Sequence, residues 1–391
     1  MKNILTLNTI SPVINDIFND KYNVSADCKN PDGIILRSFK MHDYTPEANT
    51  VAVARAGAGT NNIPVDEYAK LGVVVFNTPG ANANAVKELV IASLMLGSRK
   101  IVDSIDWVKT LKGKGEEVGK LVEKGKSNFA GQEILGKKLG VIGLGAIGAL
   151  VANSADKLGM KVIGYDPFLS VEAALRLSTH VQVVKNLDEL VSACDYITMH
   201  IPYIPNQNKG FINADMLAKM KDGVVIINCA RGELVDNQAI IDAVNSNKVA
   251  RYICDFPADE IIGVENIVCI PHLGASTEEA EDNCAVMAAK QLVDYIENGN
   301  VVNSVNYPTC VMANTTENRL VILHQNISNI LAQITSVIGS EGINIANLSN
   351  KSRGDYAVTL VDVDEEVSAK SIEHISSLEG IIKVRTIKVE K

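Results

Sequence analysis

Apolar residues follow two rhythms along this chain. Short continuous apolar runs alternate with longer stretches in which apolar positions recur every three or four residues. In a first block the short runs predict strands at Ile4–Leu7, Ile34–Arg37, Val51–Ala54 and Val73–Phe76. A helix is expected from near Asn82, with Val86, Leu89, Val90, Ser93 and Leu94 on one face. A second block starts near Leu139 and repeats the pattern. Its expected strands are Leu139–Ile142, Lys161–Tyr165, Tyr196–His200, Val224–Asn228, Arg251–Cys254 and Ile267–Ile270, with helices between them such as Leu187–Ala193 and Asn237–Asn245. Uniformly apolar strands separated by helices build parallel sheets covered on both faces, so the class is α/β and each block reads as a doubly wound domain.

A long helix is expected from Thr277 to Asn298. Ser276 stands at its cap, and Glu278 and Glu279 in its first turn suit the positive end of the helix dipole. Val305–Asn318 breaks the rhythm with Asn306, Pro308, Asn314, Thr315 and Thr316 and reads as a linker. Beyond it, Leu320–Leu323, Ile327–Ile338, Ile343–Asn347, Tyr356–Val363, Ala369–Leu378 and Ile381–Val389 give the order strand, helix, strand, strand, helix, strand, with Gly354-Asp355 as a hairpin turn. That order is the ferredoxin-like βαββαβ unit. The expected division is a first domain over 1–95 and 277–305, a second over 96–276, a linker at 306–318 and a C-terminal module over 319–391.

Composition narrows the functional classes. A length of 391 residues suits two or three domains. The net charge of −9 argues against a general nucleic-acid or anionic-membrane role, both of which need a basic face. No apolar run is long enough to span a membrane. Asn3, Thr6 and Asn8 interrupt the N-terminus, which therefore lacks a signal-peptide core, and a cytoplasmic location is expected. The seven cysteines are odd in number, form no Cys-x-x-Cys pair and sit partly in apolar runs, as reduced buried thiols do. The six histidines lack metal-ligand spacing, so no metal is expected.

Gly143-Leu144-Gly145-Ala146-Ile147-Gly148 follows an expected strand and opens an expected helix. In that context Gly-x-Gly-x-x-Gly is a dinucleotide fingerprint and makes the second domain Rossmann-like. Gly143 permits the tight turn, Gly145 lets the backbone approach a pyrophosphate, and Gly148 allows close helix–strand packing. The helix N-terminus offers free N–H groups to the diphosphate. Asp166, at the end of the next strand, would accept from ribose hydroxyls and repel a 2′-phosphate, which favours NAD over NADP. The alternative is that Asp166 only caps the turn before Pro167.

Other reactive residues stand just after expected strands. Arg231 follows Val224–Asn228, Asp255 follows Tyr252–Cys254 with Glu260 five residues on, and His272 follows Ile267–Ile270. Ligands of doubly wound sheets bind outside the carboxyl ends of the strands, where these side chains can converge. They suit hydride transfer at a 2-hydroxy acid. A histidine takes the hydroxyl proton, a carboxylate fixes its tautomer, and a guanidinium clamps the substrate carboxylate. Taken singly, each has a bland reading as a loop or surface residue.

With Asn228-Cys229-Ala230-Arg231-Gly232-Glu233-Leu234-Val235-Asp236, Pro271-His272-Leu273-Gly274-Ala275-Ser276-Thr277, Arg55-Ala56-Gly57-Ala58-Gly59-Thr60-Asn61-Asn62-Ile63 and Asn77-Thr78-Pro79 added to the glycine motif, the chain resembles the D-2-hydroxyacid dehydrogenases. The resemblance covers residues 1 to about 305. It implies two Rossmann-like domains, one for substrate and one for NAD, and a C-terminal ACT regulatory domain. It implies Arg231, Glu260 and His272 as the catalytic set. It also implies Gly143, Gly145, Ala146, Ile147, Gly148, Asp166, Ile201, Cys229, Ala230, Arg231, Asp255, His272 and Gly274 along NAD, with Asp255 at the carboxamide. Asn82, Arg231, His272 and the N–H groups of Ala58 and Gly59 would meet the substrate. One departure stands out: the family pattern Asp-Val-Phe is here Asp255-Phe256-Pro257, and Asp259 neighbours Glu260.

The resemblance further implies NAD-dependent oxidation of 3-phospho-D-glycerate to 3-phosphohydroxypyruvate. For the phosphate, Arg37 and Arg55 are the best cations, ahead of Lys40 and Lys87. The alternatives are another 2-keto acid, such as glycerate's, glyoxylate or hydroxypyruvate, or a non-catalytic NAD-sensing binding protein. In the module, His324, Asn326 and Asn344 match positions where related regulatory domains bind L-serine between paired copies. Ser328-Asn329 replaces the usual Pro-Gly in that turn, and Asn tolerates the left-handed backbone it needs. A homodimer or homotetramer is expected.

Overall fold

The computed structural model describes residues 1–389. It divides into two compact units, one formed by Met1–Asn82 with Glu281–Lys391 and the other by Ala83–Ala280. The first unit opens with β1 (Lys2–Leu7), β2 (Tyr22–Ser25), β3 (Gly33–Leu36), β4 (Ala52–Arg55) and β5 (Val74–Phe76), an all-parallel sheet in the order β2-β1-β3-β4-β5. Its four expected strands are present within a residue or two. The edge strand β2 was not expected, because Asn23 and Ser25 break its apolar run.

The second unit carries a seven-stranded parallel sheet. Its strands are β6 (Lys138–Ile142), β7 (Lys161–Tyr165), β8 (Gln182–Val184), β9 (Tyr196–Met199), β10 (Val224–Asn228), β11 (Val249–Cys254) and β12 (Ile267–Cys269). The order β12-β11-β10-β9-β6-β7-β8 reverses direction between β6 and β9, the switch point where a doubly wound sheet opens a crevice. Helix α1 (Ala83–Ser98) buries Val86, Val90 and Leu94 in one core with Val141, Val151 and Val225. These contacts group α1 with the second unit, where the expectation had the first domain running to residue 95. Helix α2 (Ala146–Lys157) starts at the glycine motif. Side-chain caps set other helix starts: Asn186 accepts from Asp188 N, and Asp236 accepts from Ala239 N.

Back in the first unit, α3 (Glu278–Asn298) lies on its sheet. A Cβ at Gly33 would meet Ile4 at 3.2 Å and Leu292 and Ile296 at 3.4 Å, which is how close helix and strand approach. The C-terminal module follows as β13 (Asn318–Gln325), α4 (Ile330–Ser340), β14 (Ile345–Arg353), β15 (Tyr356–Val363), α5 (Ala369–Ser377) and β16 (Ile381–Lys388). The strands form an antiparallel sheet in the order β14-β15-β13-β16. Strand alternation gives that sheet two apolar faces. Leu320, Ile322, Val361 and Val363 pack under α4 and α5 with Ile330, Ile334 and Ile375. Val321, Leu323, Val358, Leu360 and Ile387 share the core of Ile4, Phe76, Leu292 and Tyr295.

The expected separate C-terminal domain is thus built into the first unit. The expected linker is packed as well. Asn306 accepts from Val75 N at 2.9 Å and donates to Val73 O at 2.9 Å, extending the edge of β5, and the buried Tyr307 donates its hydroxyl to Ala69 O at 2.6 Å. Arg319 and Asp362, both fully buried, form a two-pronged pair at 2.6 and 3.0 Å. Arg319 also donates to Asn298 O and Met312 O, and Arg385 donates to Ile296 O at 3.0 Å.

Candidate active site

The glycine motif occupies the carboxyl end of β6. Gly143 has φ 88°, and a Cβ there would meet His200 O at 2.6 Å. A Cβ on Gly148 would lie 1.9 Å from Gly143 O. Both sites admit only glycine. A Cβ on Gly145 would meet nothing within 4 Å, so the space above the first turn of α2 is open. The first-turn N–H groups at Ala146 and Ile147 face no acceptor within the helix. An open N-terminal turn of this kind fits a diphosphate, and Ala146 is exposed beside it.

Asp166 does two things at once. Its Oδ2 accepts from Leu144 N at 2.9 Å, tying β7 to the glycine loop, and its Oδ1 accepts from Phe168 N at 2.9 Å. The capping role posed as an alternative is therefore real, and each oxygen keeps a lone pair. Ile201 is half-buried, and Cys229 is buried with its thiol pushed up to about 12 by burial, so it stays protonated. Ala230 follows it, with its N–H held by Asn228 Oδ1 at 3.1 Å. His200 is held to Thr198 at 3.1 Å by one ring nitrogen while the other has no partner. Burial drives its pKa down to about 3, so it is neutral and suited to lining the crevice, not to carrying protons.

Asp255 is 1% exposed. Its two oxygens accept from Leu273 N at 2.7 Å and Gly274 N at 2.8 Å, against a burial effect that raises its pKa. Its two bonds pin the loop that carries His272. His272 takes a left-handed backbone, φ 55°, and presents an exposed ring. Arg231 is exposed, with Nη1 donating to Ala230 O at 2.7 Å. Its own carbonyl accepts from Asn228 Nδ2 at 2.8 Å.

The expected carboxylate–imidazole pair is not closed. Glu260 accepts from Asn237 Nδ2 at 3.4 Å, and among the described residues no hydrogen bond joins it to His272. The His272 ring lies instead against Phe256, centroids 4.7 Å apart and planes tilted by 51°. Asn237 and this ring contact were not foreseen. The signal for the second was Phe256 itself, an aromatic where the family pattern has Val.

On the first unit, Arg37 and Arg55 stand at the carboxyl ends of β3 and β4. Arg55 Nε donates to Arg37 O at 3.1 Å, and its guanidinium lies over Gly57, where a Cβ would be 2.5 Å from Nη1. Gly57 N donates to Arg55 O. The next N–H groups, of Ala58 and Gly59, have no acceptor among the described residues, and Asn77 Nδ2 holds Ala58 O at 2.6 Å. Arg37, a candidate cation for the phosphate, pairs with Glu281 on α3 at 2.5 Å. Nothing local marks Glu281 as its partner. Lys40 is exposed, Lys87 pairs with Glu88 at 3.4 Å, and Asn82 is half-buried at the end of the unit.

In the module, His324 is 1% exposed, with ring nitrogens 2.8 Å from Thr359 Oγ1 and 2.7 Å from Gln325 O. Burial lowers its pKa. It therefore braces the turn and does not offer its ring to a ligand. Asn326 donates to Gly354 O, and Asn344 donates to Asp364 Oδ2; both are exposed. Strand register puts them at opposite ends of the sheet, since Gln325 faces Tyr356 while Ile345 faces Val363. Asn329 adopts φ 67°, the left-handed backbone expected of the turn. Among the described residues no group of His, Cys, Asp and Glu could hold a metal, all seven cysteines are free, and no helix is long and apolar enough to cross a membrane.

A model of the D-isomer specific 2-hydroxyacid dehydrogenase NAD-binding domain matches residues 91–274. The D-3-phosphoglycerate dehydrogenase of Escherichia coli K12 is 31% identical over 370 residues, which span 91% of this chain and 86% of that protein. The chain belongs to the D-isomer specific 2-hydroxyacid dehydrogenase family. It is accordingly an NAD-dependent oxidoreductase. The Saccharomyces cerevisiae D-3-phosphoglycerate dehydrogenase 1 is 31% identical over 366 residues, 87% of this chain and 74% of that protein. The NAD-bound 3-phosphoglycerate dehydrogenase of Entamoeba histolytica superposes with TM-score 0.61 at 28% identity, over 78% of this chain and 98% of that one. The D-mandelate dehydrogenase of Rhodotorula graminis shares the fold, with TM-score 0.66 at 22% identity over 80% of this chain and 99% of that one.

Proposed function

We propose that this dehydrogenase oxidises 3-phospho-D-glycerate to 3-phosphohydroxypyruvate. The observation that carries the reading is the first unit's anion site. Arg55 bonds Arg37 O and lies over Gly57, next to Ala58 and Gly59, whose N–H groups have no acceptor among the described residues, a cradle for an anionic substrate with Arg37 one strand over. The sequence similarity to D-3-phosphoglycerate dehydrogenases supports it. In this reading Arg37 and Arg55 hold the phosphate, Ala58, Gly59 and Asn82 hold the carboxylate end, and Arg231 clamps the carboxylate and polarises the C2 oxygen.

His272 takes the hydroxyl proton, and Glu260 on the neighbouring loop stabilises the imidazolium. Bound NAD supplies the hydride acceptor. Gly143, Gly145, Ala146, Ile147 and Gly148 hold the diphosphate and Asp166 the ribose. Ile201, Cys229, Ala230, Gly274 and the remaining lone pairs of Asp255 line the nicotinamide end. The test is NADH oxidation with 3-phosphohydroxypyruvate and with hydroxypyruvate side by side. A preference of at least about tenfold for the phosphorylated acid is expected, since a charge-assisted contact contributes about 1.5–3 kcal/mol. Equal or reversed preference overturns the phosphate reading.

A second reading rests on the Arg37–Glu281 pair. With its charge already answered by Glu281, Arg37 favours an unphosphorylated 2-keto acid such as hydroxypyruvate or glyoxylate. For the C-terminal module the reading is an ACT-type regulatory unit. Because Asn326 and Asn344 lie at opposite ends of its sheet, an L-serine site using both needs two copies of the chain, in a homodimer or homotetramer. Serine inhibition that survives Asn344→Ala would place the effector elsewhere.

A further inference from the structure

The catalytic loop holds an aromatic contact with no place in the scheme so far. His272 makes no side-chain hydrogen bond among the described residues, yet its backbone is fixed on both sides. His272 N donates to Ile270 O at 3.0 Å, and Leu273 N and Gly274 N donate to Asp255. What remains free is the ring's rotation about its own side-chain bonds. The group against that ring is Phe256, at 4.7 Å between centroids.

Phe256 is itself anchored. Cys254 Sγ donates to Phe256 O at 3.0 Å and accepts from Phe256 N at 3.2 Å, closing the turn after β11. On the other side Gly232 makes room for it, since a Cβ there would stand 3.1 Å from Phe256 Cβ. A residue next in sequence to Arg231 and a thiol on β11 thus fix the backbone and Cβ from which the phenyl ring reaches the imidazole.

We propose that Phe256 is a positioning residue for His272. It restrains the imidazole plane through their tilted ring contact and stabilises, through its π electrons, the imidazolium that forms on proton uptake. The inference rests on the reading of His272 as proton carrier. In that step the O–H bond at the substrate C2 breaks, its proton bonds to an imidazole nitrogen, and C2 loses a hydride to NAD. The charge appears on the ring that faces Phe256. An aliphatic residue at this position would fill space without holding the ring plane or answering the charge.

The experiment is steady-state kinetics of the full-length enzyme with NADH and whichever of 3-phosphohydroxypyruvate or hydroxypyruvate it reduces. Four variants are compared: Phe256→Leu, Phe256→Met, Phe256→Tyr and His272→Ala. The two aliphatic replacements should lower kcat about tenfold, with KM for NADH within about twofold, because a cation–π contact and ring orientation act on the transition state and not on cofactor binding. Phe256→Tyr, which keeps the ring, should return kcat to within about threefold of wild type. Wild-type kcat in either folded aliphatic variant, or a Tyr variant as impaired as the Leu one, overturns the proposal. His272→Ala separates the two layers. If it keeps near-normal turnover the proton-carrier reading itself fails; if it is inactive while Phe256→Leu is normal, only the role of Phe256 fails.

Discussion

Three glycines within six residues have three different reasons to be glycine. At Gly148 a methyl would collide with Gly143 O at 1.9 Å, so Gly148→Ala should unfold the cofactor unit or lower its melting temperature by many degrees. At Gly145 the backbone is at φ −69° and the space is open, so Gly145→Ala should fold with a wild-type melting temperature. It should nevertheless lose NADH affinity, by about tenfold or more, because the methyl occupies the diphosphate's place. Thermal melting and NADH fluorescence titration of the two variants check this, and equal NADH affinity in Gly145→Ala would move the diphosphate off the glycine loop.

Asp166 invites a similar separation. Asp166→Ala removes the acceptor of Leu144 N along with the ribose partner, so NAD affinity should fall and NADP should become usable. Asp166→Asn keeps an acceptor for Leu144 N and should recover the fold of the loop without excluding NADP. Comparing kcat/KM for the two cofactors in both variants measures the electrostatic part alone.

Among the elements, β13 and β15 carry a fully buried charge pair, Arg319–Asp362. Burial by itself would raise the Asp362 carboxyl, but the hydrogen bonds from Arg319 and Thr315 outweigh it and hold its pKa below the ordinary carboxylate value. A group depressed in this way adds stability above its unfolded pKa, near 4, and that stability is lost as the pH falls through the folded value. Asp362→Asn leaves Arg319 buried without its counter-charge and should cost about 3–5 kcal/mol. The difference in melting temperature between wild type and Asp362→Asn should be widest at neutral pH and shrink below about pH 4. A constant difference across that range would show that the pair contributes through packing alone.

Elements were legible in the sequence where apolar residues fill most of a strand or recur along one face of a helix. The strands Lys161–Tyr165, Val224–Asn228 and Tyr356–Val363 and the helices Leu187–Ala193 and Asn237–Asn245 begin and end where the apolar pattern placed them. The strands β2 and β8 were missed because each lies at a sheet edge and is mostly polar or exposed along its length. The positions of the glycine motif, Arg231 and His272 just after strands were legible, because each follows a short apolar run. The Phe256–His272 ring contact and the Arg37–Glu281 pair join residues on different connections, and no local pattern encodes which long-range neighbours meet.

For the whole chain the telling fact is where the C-terminal module sits. A tethered regulatory domain could be removed and leave a folded catalytic core. Here one face of the module's sheet lies in the same core as Phe76, Leu292 and Tyr295, and the preceding segment is tied to β5 through Asn306. Truncation after Val305 should therefore yield insoluble or dye-binding protein and not an unregulated enzyme, because it uncovers a broad apolar surface on α3. A soluble, monodisperse, active 1–305 fragment would show that the first unit closes without its module.

That placement also restricts how two chains can meet through the module. One face of its sheet lies under α4 and α5 and the other against α3, so neither is left for a second copy. Only the borders of the sheet, β14 on one side and β16 on the other, still carry main-chain groups without a strand beside them. Lys383 of β16 already reaches Thr50 O, which leaves β14 as the freer border. Any pairing of two chains through this part of the molecule would therefore lengthen a ribbon sideways, strand to strand, with a strength set by backbone pairing more than by side-chain identity.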